Sequence, residues 1–318
     1  MKSIEWGFLI VNYLFLGGLS AGLFFVSALA TFFYRIDEPS PYTRIARLGA
    51  WMAPWPVMIG CLLLIFDLGR WYAFYKLFLH VRFVSPMSIG SWLLVFFNLV
   101  TLVNCYAWLT EQQRNGLFAK LPKALAFLGK YNYDIDHWRR RLAAVGLPIS
   151  VGVGIYTGVL LGAVQSRPFW NTNLVAQLFL FSALSTGCAA IILGLASRSE
   201  VGQELRLLYG LDVCFMVLEF FIVVPYLIHG ELSVQAVQDS LRLILGGPFT
   251  VMFWVFFLGL GLLTPLLIEL RELVPVLVSH KEFHYSRALA AGTAVLILGG
   301  GFILRYVFVF AGQMSAMQ

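Results

Sequence analysis

The chain has 318 residues, 60% of them hydrophobic and only 12% charged, with a formal net charge of +6. A soluble domain carries about twice that share of charge, and most of the long apolar stretches have no polar face to offer water, so a water-soluble globule is excluded. The positive balance records orientation in a membrane, because neither a recognised nucleic-acid-binding module nor a basic binding surface is present.

Eight stretches reach or approach the roughly 20 apolar residues that cross a bilayer as a helix. They are predicted at about Trp6–Tyr34, Leu48–Phe66, Ile89–Thr110, Leu142–Val164, Leu174–Ala196, Leu207–Ile228, Phe249–Leu270 and Ala288–Phe310. The first carries Asn12 near its start and Gly17-Gly18 with Gly22, which allow close helix approach. Ala28-Leu29-Ala30 imitates a signal-peptide cleavage site, but the apolar core is too long and the preceding segment holds only Lys2, so the stretch reads as a span. The second contains Pro54 and Pro56 and runs into Asp67, with Arg70 three residues on, within ion-pair reach on a helix. Ser85-Pro86-Met87-Ser88 opens the third. Tyr156 falls late in the fourth, and Gln165, Arg167, Trp170 and Asn171 follow it. The sixth contains Asp212 and Glu219, Glu269 closes the seventh, and Arg305 lies inside the eighth. The expected fold is a single all-α domain over residues 1–318, a polytopic transmembrane bundle of eight helices.

Fifteen Lys and Arg residues fall in the connections after the odd-numbered spans and six on the other side. The excess of positive residues marks the cytoplasm. Both termini are therefore expected on the non-cytoplasmic side, with the basic segment Glu111–Arg141 inside.

Cys61, Cys105, Cys188 and Cys214 all lie in apolar runs and no two form a C-x-x-C pair, which removes an iron–sulfur cluster and a disulfide framework. The five histidines, His80, His137, His229, His280 and His284, fall in connections or at helix ends. A haem held between membrane helices needs axial ligands inside the spans. No haem, cluster or metal is expected in this chain.

Ionisable residues in apolar spans are expensive and so are candidates for function. Asp212 and Glu219 are two helical turns apart on one face, about 10 Å along the axis. They read either as part of a proton path or as a hydrogen-bonded packing pair. Arg305 reads as the neutraliser of a buried carboxylate or as a snorkelling side chain, and Glu269 as an interfacial charge. A second group gathers at the outer leaflet: Asn12, Asp67, Arg70, Ser88, Tyr156 and Arg167, among many aromatics. That mixture suits an amphipathic ligand with a polar head and a long apolar tail.

The segments Asn12-Tyr13-Leu14-Phe15-Leu16-Gly17-Gly18-Leu19-Ser20-Ala21-Gly22, Asp67-Leu68-Gly69-Arg70 and Ser85-Pro86-Met87-Ser88-Ile89-Gly90-Ser91-Trp92 resemble the NrfD/PsrC family, membrane subunits of polysulfide reductase and related respiratory complexes. The resemblance implies a cofactor-free bundle that binds menaquinone or ubiquinone and exchanges electrons with an iron–sulfur partner subunit at the outer face. It further implies a molybdopterin-type catalytic subunit or a multihaem cytochrome, and the bacterial or archaeal cytoplasmic (inner) membrane. By the same resemblance Asn12 is expected to contact the quinone, Tyr156 matches a quinone-contacting Tyr on position, and Asp67 and Arg70 match the D-L-G-R motif. With the outer-leaflet grouping, Ser88 and Arg167 are also expected to bind the quinone, Asp67 to handle its proton and Arg70 to set the charge of Asp67. Phe15 stands where the polysulfide reductase members carry a His, and Trp71 where a Pro often follows D-L-G-R. The rival reading is a proton-coupled secondary transporter using Glu219 and Asp212. Transporters usually show internal repeats and midplane helix breaks, and no clear repeat is visible.

Overall fold

The computed structural model describes residues 6–34, 40–67, 85–110, 112–113, 135–198, 201–279, 283 and 285–315. All regular structure among these residues is helical. The helices are α1 (Phe8–Phe33), α2 (Pro41–Met52), α3 (Pro54–Asp67), α4 (Pro86–Ala107), α5 (Ile135–Gly162), α6 (Leu174–Ala196), α7 (Gly202–Glu231), α8 (Gln235–Leu245), α9 (Met252–Leu263), α10 (Thr264–Ser279) and α11 (Arg287–Met314). They compose eight spans, because α2 and α3 form one and α9 and α10 another.

Both composite spans have local causes. Pro54 lacks the N–H that would bond the Ala50 carbonyl, so α2 ends at Met52, and Ser20 Oγ of α1 donates to the Ala53 carbonyl at the junction. The next break is a change of hydrogen-bond register. α9 is a π-helical stretch with bonds one residue longer than in an α-helix, and Thr264 bonds back to Gly259 through both its backbone N–H and its hydroxyl.

Helix α1 is the centre of the bundle. It packs against α2, α3, α5, α6 and α11. Its crossing with α6 is a backbone contact, since a Cβ on Gly22 would lie 1.9 Å from the Ala183 carbonyl oxygen. Only glycine fits there. A second glycine crossing joins α9 to α11 at Gly261 and Gly300.

An even number of spans returns both termini to one end of the bundle, the terminal end. There Trp6 exchanges two hydrogen bonds with the Gln313 amide at 2.9 and 2.8 Å. Trp170 donates to the Phe308 carbonyl at 2.6 Å and packs on Trp6. At the opposite end Tyr34 donates to Asp136, Arg139 pairs with Asp136 at 2.6 Å and covers the Trp108 ring, and Arg44 meets Glu204 at 3.1 Å.

The second, fourth, sixth, seventh and eighth spans are longer than the sequence suggests. The seventh continues to Ser279, so Glu269 lies inside it rather than at an interface. The short helix α8, which hydropathy does not reveal, packs Ser240, Leu241, Leu243 and Ile244 inward against α7 and α11.

Candidate functional site

Near the terminal end, α1, α3, α4 and α5 meet in a seam of hydroxyl groups. Asp67 ends α3, and a Cβ on Gly7 would lie 3.9 Å from its Oδ1, so the carboxylate stands at the start of α1. The unpaired backbone N–H groups of a helix N-terminus favour a negative charge there. About two turns deeper, Tyr13 is fully buried beside Cys61, and its hydroxyl faces that of Tyr156. Tyr156 lies so close to α4 that a Cβ on Gly90 would fall 1.8 Å from its ring. Ser88 is buried in the first turn of α4, which Pro86 starts. Asn98 reaches Cys61 at 3.6 Å and ties α4 to α3.

The residues expected to share this site are only partly brought together. Tyr156 lies in the seam and Asp67 at its mouth, whereas Ser88 is on the side of α4 away from Gly90. Asn12 lies on another face of α1, in the stripe Phe8–Asn12–Phe15, whose two phenylalanines pack on Phe302 of α11. Its amide donates to the Phe8 carbonyl at 2.7 Å within its own helix. Arg167 donates to the Gln313 carbonyl and so closes the C-terminal end of α11. Arg70 lies outside the described residues. Tyr13, next to Asn12 in the same motif, is the residue that sequence reasoning passed over. Its signal was the small Gly60 and Gly90 on the facing helices, which leave room for two phenol rings.

The second cluster lies between α6, α7, α10 and α11 and is charged. Arg305 has no solvent exposure. It donates to Ser182 Oγ at 3.1 Å and to the Gly301 carbonyl at 2.6 Å. Ser182 also pairs with Glu219, so the arginine and the carboxylate interact across one hydroxyl. One turn along α6, Ser185 donates to Asp212 at 2.6 Å. Asp212 in turn is within electrostatic reach of Glu269, and Glu269 of Glu272. Glu272 faces Tyr209, whose ring meets Phe283. Asp212 Oδ2 and both oxygens of the fully buried Glu269 have no hydrogen-bond partner. The groups form a column from the middle of the membrane-spanning region, at Arg305 and Glu219, to the opposite end, at Glu272. Among the described residues no group of His, Cys, Asp and Glu is arranged to hold a metal ion.

The family model for polysulphide reductase, NrfD, matches residues 1–316. The chain belongs to that family. It is 32% identical to the C subunit of polysulfide reductase from Wolinella succinogenes over 98% of this chain and 95% of that subunit. It is 31% identical to the protein NrfD of Escherichia coli over 99% and 96%. It is 26% identical to the Hdr-like menaquinol oxidoreductase integral membrane subunit of Archaeoglobus fulgidus over 84% of this chain and 63% of that subunit. With eight apolar helices of spanning length, the NrfD-family chain is a multi-pass integral membrane protein, and its relatives are membrane subunits of reductase complexes.

Proposed function

We propose that this chain binds quinone or quinol, menaquinone or ubiquinone, in the tyrosine seam and exchanges electrons with an iron–sulfur subunit docked at the terminal end. That end is then the non-cytoplasmic face of a bacterial or archaeal inner membrane. The catalytic subunit beyond it is of molybdopterin type or a multihaem cytochrome. The observation that carries the reading is the facing pair of buried phenol hydroxyls, Tyr13 and Tyr156, of which only one can donate to the other, near the Asp67 carboxylate. A buried polar group is normally satisfied, and a quinone carbonyl supplies the missing acceptor. A bound quinone accepts or releases two electrons together with two protons. Tyr13 and Tyr156 orient it by hydrogen bonding. Asp67, half-exposed at the mouth, passes a proton between the head group and water, and Arg70, three residues on, sets its charge. Asn12, on a different face of α1, acts at the lipid-facing entry, and Arg167 holds the terminal end on which the partner sits.

The column supports a proton path from Glu219 through Asp212, lengthened by Glu269 and Glu272 to the opposite end. The same carboxylates would serve a proton-coupled transporter, but membership of a family of reductase subunits weighs against that use.

Purified complex carrying Asp67→Asn should assemble normally and lose quinol oxidation. Normal turnover in it would remove Asp67 from the reaction. Tyr13→Phe should weaken quinol binding at least tenfold, read as a raised KM. Glu269→Gln should leave quinol oxidation by uncoupled complex intact and abolish turnover-linked proton uptake from the side opposite the partner.

A further inference from the structure

A third feature lies at the opposite end of the bundle, away from both clusters. Thr43, Arg44, Arg47, Leu48 and Trp51 of α2 face Cys105, Trp108, Leu109 and Gln113 at and beyond the end of α4, and Arg198 closes the space from the end of α6. They enclose a cavity of about 470 Å³, within the range of small-molecule sites.

Several of the donors that line it are unmatched. Trp108 is 4% exposed, yet its indole N–H has no hydrogen-bond partner, and neither has the Thr43 hydroxyl. Arg44 is paired with Glu204 at 3.1 Å, but among the described residues no carboxylate pairs with Arg47 or Arg198. The site therefore presents two guanidinium groups, an indole N–H and a hydroxyl. That set lacks an anion with several acceptor oxygens, which is a phosphate group, and arginine is suited to binding it through paired hydrogen bonds.

The walls below the cavity decide which phosphate. From Trp51 an exposed apolar stripe runs along the second span through Trp55, Ile59 and Leu62, and α4 presents the exposed Leu102 on the face that carries Asn98 and Cys105. Both lead away from the cavity toward the middle of the bundle. A free phosphate has no use for them, whereas two acyl chains would lie along them.

We propose that this cavity binds the headgroup phosphate of an anionic phospholipid, with Arg47 and Arg198 on the phosphate, Thr43 and Trp108 as further donors, and the acyl chains on α3 and α4. The site is separate from the seam and from the carboxylate column, and its occupant is a structural lipid rather than a redox substrate.

The test uses the full chain, delipidated in detergent and titrated with phosphatidylglycerol, phosphatidylcholine or inorganic phosphate, with bound lipid counted by native mass spectrometry. Phosphatidylglycerol should bind as one tightly retained molecule and phosphatidylcholine much more weakly. An arginine close to an anionic headgroup is worth roughly a factor of five, so R47Q/R198Q should weaken phosphatidylglycerol binding about 30-fold, while R47K/R198K retains most of it. Undiminished binding in a folded R47Q/R198Q protein would overturn the assignment. So would equal retention of the two lipids by the unaltered chain, a comparison that needs no variant. Displacement of the lipid by equimolar inorganic phosphate would also overturn it and make free phosphate the ligand.

Discussion

The two halves of the bundle bury polar groups in different ways. In α1 to α5 the buried polar side chains are hydroxyls and one amide: Ser20, Ser27, Thr31, Ser88, Thr101, Asn104, Ser150 and Thr157. In α6 to α11 five buried residues are ionisable: Glu204, Asp212, Glu219, Glu269 and Arg305. Many of the hydroxyls bond to carbonyls of their own helix, as Thr31 does to Ser27 and Thr157 to Gly154, so they need nothing from a neighbour. The charged groups cannot be satisfied that way. Glu204 reaches Arg44 of α2, and Asp212 and Arg305 reach Ser185 and Ser182 of α6, so these groups fix how helices sit against one another, while Glu269 keeps both oxygens unpartnered. The first half is free to form a seam for an external ligand, and the second half commits most of its buried charge to contacts between helices.

The sharpest way to break this contrast is to remove the one deep positive charge. Arg305→Leu leaves Glu219 with only Ser182 in an apolar interior. Removing one partner of a buried charged pair costs about 3–5 kcal/mol, so thermal unfolding of the detergent-purified chain should show the largest loss of any single substitution discussed. Arg305→Leu with Glu219→Leu should recover most of it. By contrast Thr157→Val, in the first half, should cost under about 1 kcal/mol, since only a bond within its own helix is lost. Equal losses in the two halves would refute the contrast.

A smaller effect tests the seam itself. Gly90→Ala puts a methyl group where the Tyr156 ring now lies. Overpacking of this kind costs about 1–3 kcal/mol, and the displaced phenol should also lower quinol affinity. If affinity is unchanged while stability falls, Tyr156 is a packing residue and the ligand lies elsewhere.

The sequence made the number of spans legible because each needs a long apolar run and nothing else in the chain supplies one. Height along a span was legible too, since counting from the ends places Asn12, Asp67 and Tyr156 near one surface. Azimuth was not. Asn12 and Tyr13 are adjacent in sequence yet point about 100° apart around α1, one toward Phe302 of α11 and one toward Tyr156. A single chain gives no direct report on which neighbour each face meets. Glu269 misled for a related reason. Followed by Arg271 and Glu272 it looks like a membrane boundary, but only its own face turns inward, while Leu267, Val274 and Val278 continue an exposed apolar surface beyond it. Helix α8 was missed because its 11 residues are too few and too amphipathic to register as a span.

The terminal tie offers a third, smaller test. Trp170 is buried and its N–H is committed to the Phe308 carbonyl. Trp170→Phe removes the donor while the Phe308 carbonyl keeps its bond within α11, at a cost of about 1 kcal/mol. Because Trp6 and Arg167 share the same joint, the variant should also loosen the terminal end, read as faster proteolysis near the termini without loss of helix content.

The smallest effect concerns the charges that the first half does carry, which sit at its end rather than in its core. Tyr34 donates to Asp136, which also pairs with Arg139 at 2.6 Å, with the two charged side chains 26% and 17% exposed. Burial pushes the Tyr34 hydroxyl above the ordinary tyrosine range, the hydrogen bond to Asp136 adds to this, and Arg139 partly offsets it. A group raised in the folded state contributes stability that is complete below its ordinary value and is lost as pH rises through the raised one. The advantage of the unaltered chain over Tyr34→Phe should therefore be about 1 kcal/mol, constant from neutral pH to about 10, and should shrink only above that. Unfolding measured across this range decides it. An advantage that fades well below pH 10 would mean that the hydroxyl does not depend on Asp136, and that this end of α1 is held by the edge-to-face contact of Tyr34 with Trp108 instead.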